Sequence, residues 1–164
     1  FAVFLEAFAP ATELVYLPDV ARLEWAYHQI FHAARHSPLD LAALAQVPAQ
    51  QQGELHFQLH PAARLLESAF PILRIWQVNQ EGYIGDPTVD LTEGGIKLLA
   101  LRHESLEIEF QVLEDGEFSL LCALAEGRAF ATACEQALAA QPGFDLPACF
   151  SRHILQGAWV DFHL

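Results

Sequence analysis

Midway along the chain the apolar residues stop recurring at helical spacing and begin to alternate. The change is sharpest in two neighbouring runs, GIKLLALRH (95–103) and LEIEFQVLE (106–114). In the second run Leu106, Ile108, Phe110 and Val112 alternate with Glu107, Glu109 and Gln111. A period of two gives an extended strand one apolar and one polar face. The short link HESL (103–106) joins the runs, so they are predicted as an antiparallel hairpin. The strength of the alternation predicts a sheet with one face open to water or to a partner.

Other segments group around this hairpin. ELHFQLHP (54–61) alternates with Leu55, Phe57 and Leu59 on one side, which predicts another strand. ARLLESAF (63–70) is a further extended candidate, with helix as the alternative. Pro71 opens a short helix over ILRIWQVN, and Gly82 with Gly85-Asp86-Pro87 marks a loop. Upstream, Val20, Leu23, Tyr27, Ile30, Phe31 and Ala34 fall on one side of a long helix that Pro18 and Asp19 open. SPLDLAALAQVP (37–48) is predicted as a short helix opened by Ser37-Pro38. Downstream come three helices: EFSLLCALAEG ended by Gly127, AFATACEQALAAQPG, and DLPACFSRHILQGA with Asp145 as N-cap. WVDFHL (159–164) closes the chain as a strand.

The expected class is therefore α+β: N-terminal helices packed on a small, mostly antiparallel sheet, followed by a winged-helix-like C-terminal segment. Residues 1–13 are expected to be the end of a helix from a preceding helical domain plus a linker. Residues 14–164 are expected to form the α+β domain. Phe1 is not an initiator and the sequence contains no Met, which fits a chain that starts downstream of its natural beginning.

Charge narrows the function classes. Twenty-one acidic against eight basic residues give a net charge of −13. Affinity for nucleic acid comes largely from Lys and Arg on phosphates, and here Lys97 and the arginines are scattered. Nucleic acid is accordingly not the expected partner of this domain. No apolar run is long enough to cross a bilayer and FAVFLEAFAP makes a poor signal peptide, so the expected setting is cytoplasmic.

Chemical motifs are sparse. His28, His32 and His36 follow one another at steps of four, with Glu24 one step earlier, and form a slanting row on the polar side of the long helix. A pair at i and i+4 can hold a divalent metal, but the HExxH accompaniment is missing, and a solvated or partner-binding face is the simpler reading. The row is a weak metal candidate. Glu24 is expected to pair with Arg64 or Arg74, or to cap a backbone group. His60-Pro61 is expected to fix a turn through a bond from the imidazole to a loop carbonyl, and Trp76 to be core. Cys122, Cys134 and Cys149 form no CxxC and none is placed at ligand spacing from a histidine; they are expected to be buried, reduced thiols. There is no GxSxG and no phosphate-cradling glycine loop. No catalytic residue and no cofactor is expected.

The runs YLPDVARLEWA and LHPAARLLESAFPILRIWQVN resemble the HvfC/BufC-type family, through Tyr16, Leu17, Pro18, Leu23, Glu24, His60, Pro61, Pro71 and Trp76. Its members carry a DNA-binding label and act as partner proteins of multinuclear iron oxidases in methanobactin-like peptide biosynthesis. The resemblance is specific over about residues 14–79 and looser downstream. It implies a non-enzymatic adaptor that binds such an oxidase and recruits the leader segment of a ribosomally made precursor peptide. The alternative it carries is a DNA-binding transcription regulator acting mainly through the preceding domain. Strand addition to an exposed sheet edge is the economical way to hold a leader peptide. Glu107, Glu109 and Gln111 of the hairpin, and Trp159 and Asp161 of the last strand, are the candidate contacts.

Overall fold

The computed structural model describes residues 2–7 and 13–164. The predicted helix end at Phe8, Ala9 and Pro10 lies outside the described residues. Among the described residues seven α-helices and five strands run in the order α1 (Ala2–Ala7), α2 (Leu17–His32), α3 (Leu41–Leu44), β1 (His56–Leu59), β2 (Ala63–Ser68), α4 (Ile72–Val78), β3 (Ile96–Arg102), β4 (Ile108–Val112), α5 (Asp115–Ala125), α6 (Phe130–Ala140), α7 (Leu146–Leu155) and β5 (Trp159–His163). The class is α+β, with two small antiparallel sheets.

One sheet has the order β2-β3-β4 and is covered on both faces. Side chains alternate along β3, and all four central ones are buried. Leu98 and Ala100 point toward α2 and α4, where they meet Leu23, Ile30, Ile72 and Ile75. Leu99 and Leu101 point the other way, into the core built by Leu120, Leu121 and Leu124 of α5. The expectation of a sheet with one open face is thereby corrected. Alternation in β4 marks it as an edge strand, whereas the unbroken Leu-Leu-Ala-Leu of β3 is what a doubly covered centre requires.

The other sheet pairs β1 with β5, with Phe57 opposite Phe162 and a bulge between Gln58 and Leu59. The last strand thus returns to β1, and the β3-β4 hairpin pairs with β2. Phe57 sits at the centre of an aromatic cluster, with ring centroids 5.8 Å from Phe130, 5.0 Å from Phe150 and 5.9 Å from Trp159.

Local chemistry explains the helix ends. Pro18 occupies the first turn of α2 and Asp19 lies in the same turn. Asp40 accepts a bond from the Ala43 N–H at 3.0 Å and caps α3, so that helix starts three residues later than Ser37-Pro38 suggested. Asp145 caps α7 as expected, accepting from the Ala148 N–H at 3.1 Å. Gly127 stops α5 at φ 76°, a left-handed conformation that costs glycine little. At the end of α2, Arg102 of β3 donates to the carbonyls of Ile30, Phe31 and Ala33 at 2.8, 2.6 and 2.7 Å. The Ile30 carbonyl also accepts from the Ala33 N–H at 3.2 Å; the guanidinium supplies donors to all three and suits the negative end of the helix.

Candidate functional site

The outer edge of β4 is the feature best placed to meet another molecule. Two backbone bonds bracket its pairing with β3: Leu113 N–H to the Lys97 carbonyl and His103 N–H to the Glu107 carbonyl, both 2.9 Å. Bonded and non-bonded positions alternate in an antiparallel pair. With Val112 opposite Leu98 and Ile108 opposite Arg102, the positions of Glu107, Glu109, Gln111 and Leu113 turn their backbone groups toward β3. Ile108, Phe110 and Val112 turn theirs outward, and among the described residues nothing bonds to them. An edge of this kind is a template for an added strand.

The flanking side chains differ on the two sides. On the α2 and α4 side, Phe110 lies 6.3 Å from Tyr27 and 5.2 Å from Trp76, ring centre to ring centre. Phe31, one turn beyond Tyr27, is exposed, as is Val112 at 64%. On the opposite side Glu107 and Glu109 are exposed and Gln111 is half-buried. The His103 Nε2 lies 2.6 Å from Glu109 Oε2, and Ser105 Oγ donates to Glu107 at 3.4 Å. A strand laid along this edge would meet aromatic rings on one side and carboxylates on the other.

Several predicted site residues fall elsewhere. Trp159 is 0% exposed and belongs to the core, so it offers no surface to a partner; Asp161, two residues on, is exposed. The expected wet side of β4 is corrected at its end, where Gln111 is half-buried and Val112 exposed. α2 stops at His32, which leaves His36 off the helix and breaks the row of three. His28 and His32 remain close, centroids 4.5 Å apart, while Trp25 stacks on His28 at 5.3 Å. Glu24 is exposed and lines a shallow cleft with Ala2, Ala21, Trp25 and His28. The arginines expected to pair with it are engaged otherwise. Arg64 donates to Gln29 and to the carbonyls of Pro61 and Ala63, and Arg74 to Tyr83, Asp86 and Thr88.

The remaining residues quoted for the resemblance act in packing and turns. Tyr16 packs edge-on against Phe70, and its carbonyl accepts from Asp19 and Val20 at the start of α2. Pro71 is the N-cap of α4, and Trp76 is half-buried. His60 does fix its turn, with the roles reversed from expectation: its Nδ1 accepts from the Ala62 N–H at 2.9 Å. Burial, then the nearby His36 and Arg102, holds the His60 imidazole below the usual histidine range. The ring is therefore neutral, as an acceptor must be.

Sequence reasoning missed one buried polar group. Glu117 in the first turn of α5 is reached by Arg152 and, at 2.6 Å, by the Nε2 of His153, both from α7. Burial opposes ionisation of Glu117, yet the bonds from His153 and Arg152 outweigh it and hold the carboxyl below its ordinary range. Cys149, also buried, stands one helical turn before His153, which corrects the view that no cysteine has a histidine at ligand spacing. That i,i+4 pair was the signal available in the sequence. All three cysteines are free; Cys149 is buried, Cys122 and Cys134 half-buried. Burial pushes the thiols of Cys122 and Cys149 up to about 11 and about 12. They are protonated at neutral pH and poor nucleophiles.

No protein-family model matches the chain, and no curated protein matches it. Among the described residues no helix is long and apolar enough to cross a membrane.

Proposed function

We propose that this chain is a non-enzymatic partner protein that holds an extended segment of another chain along β4. In the setting implied by the resemblance, that segment is the leader of a ribosomally made precursor peptide, and the second partner is the iron oxidase that modifies it. The observation that carries the reading is the outward set of backbone groups on Ile108, Phe110 and Val112, which has no partner among the described residues. Main-chain bonds to such an edge give affinity, and alternate side-chain contacts give selectivity. The exposed Tyr27, stacked on Phe110, and the exposed Phe31 one turn further along α2 supply apolar contact for one face of the guest, and Glu107 and Glu109 supply acidic contact for the other.

Co-purification tests the reading directly. The chain is expected to elute with the oxidase and to bring the leader-bearing precursor into the same complex. Separate elution, together with an oxidase that modifies its precursor equally well alone, would overturn it.

A further inference from the structure

We propose that Glu117, Cys149 and His153 form a site for one divalent transition-metal ion of the zinc class, held between α5 and α7. Each residue offers one donor atom, and the three atoms lie within 4.8 Å of one another. All three residues are buried, with exposures of 5%, 3% and 0%. Cys149 and His153 come from the same face of one helix and Glu117 from the opening turn of another, so both backbones fix the donors before any ion arrives.

The donor chemistry selects the ion. Thiolate and imidazole suit zinc, cobalt and similar metals, whereas magnesium and calcium ask for oxygen alone. The carboxylate already draws cationic company, since the Arg152 guanidinium rests on Glu117. Arg152 has a half-exposed side chain and can swing into water when an ion takes its place. Coordination converts the Cys149 thiol to thiolate and releases its proton to solvent. A doubly charged ion is then balanced by one thiolate and one carboxylate.

A purely structural pin between the helices accounts for less. It gathers a carboxylate, an imidazole and a thiol in one buried place, yet uses the Cys149 thiol only as a hydrogen-bond donor to Glu117. The Nε2 that faces Glu117 is the atom that would turn its lone pair to the ion, with the ring proton then carried on Nδ1.

Titration with Co²⁺, followed by absorption, tests the site. The expected result is saturation at one equivalent with a thiolate-to-cobalt charge-transfer band, displacement by Zn²⁺ and none by Mg²⁺. A Cys122→Ser/Cys134→Ser double variant, which keeps Cys149 as the sole thiol, should retain the band. Cys149→Ser should lose it. Absence of a thiolate band in the natural chain or in the double variant overturns the proposal, as does a band that survives Cys149→Ser. The double variant keeps the test decisive even where Cys149→Ser fails to fold.

Discussion

The Leu113 N–H donates to the Lys97 carbonyl at 2.9 Å, and this one bond fixes the phase of the whole β4 edge. It places Gln111 among the residues bonded to β3 and Val112 among those facing outward. Proline, which lacks an N–H, should distinguish the two neighbours. Val112→Pro is expected to leave stability within ~0.5 kcal/mol while weakening capture of the leader peptide, because only an outward donor is lost. Gln111→Pro removes a ladder bond and should cost about 1–3 kcal/mol. Urea unfolding and fluorescence anisotropy with a labelled leader peptide check the pair. Equal destabilisation by both would refute the assigned phase.

Arg102 is expected to matter more for stability than its place near the end of β3 suggests. Its guanidinium serves three carbonyls at the end of α2. Arg102→Met keeps most of the aliphatic stem and removes the donors, which should cost roughly 1.5–3 kcal/mol in urea unfolding. Hydrogen exchange should rise first in the last turn of α2.

His60 should make stability depend on pH. Its pKa is lowered in the folded chain by burial, His36 and Arg102, and the neutral ring accepts from Ala62. The unfolded chain therefore takes up a proton first, near the ordinary histidine value of about 6.5. The contribution of His60 is fully present above that value and is lost as pH falls from it through the lower folded value. Asparagine places an acceptor oxygen for the same N–H two residues on. His60→Asn should accordingly match the natural chain near neutrality and flatten the decline in urea midpoint between pH 7 and 5. An unchanged slope would remove His60 as its source.

Arg74 ties the loop after α4 to the helix, donating to Tyr83 Oη at 2.7 Å and to the Asp86 carbonyl at 2.5 Å. The loop carries Ile84, 98% exposed, at its tip. Arg74→Ala should speed amide exchange across residues 82–88 severalfold while global stability falls by no more than about 1 kcal/mol. Exchange that stays as slow as in the natural chain would show that the loop holds itself.

Most elements were legible in the sequence because their signals are local. The alternation in β1 and β4, the cap at Asp145, the stop at Gly127 and the prolines at 18 and 71 each act through neighbours a few residues away. α3 began late because Asp40, a side-chain cap, outcompeted the Ser37-Pro38 start. The row of histidines failed at His36 because α2 ends under Arg102, a residue supplied by a distant strand.

By itself the sequence determined the α+β class, the helix and strand periods, and a net charge of −13. Tertiary structure alone decided that β5 joins β1, that Trp159 is interior, that β3 is covered on both faces, and that Glu117 meets His153. Periodicity reports how one segment divides into two faces, whereas strand partners, covering layers and buried polar pairs depend on contacts between residues far apart in the chain. Those contacts are chosen by the packing of the whole core, which no local pattern encodes.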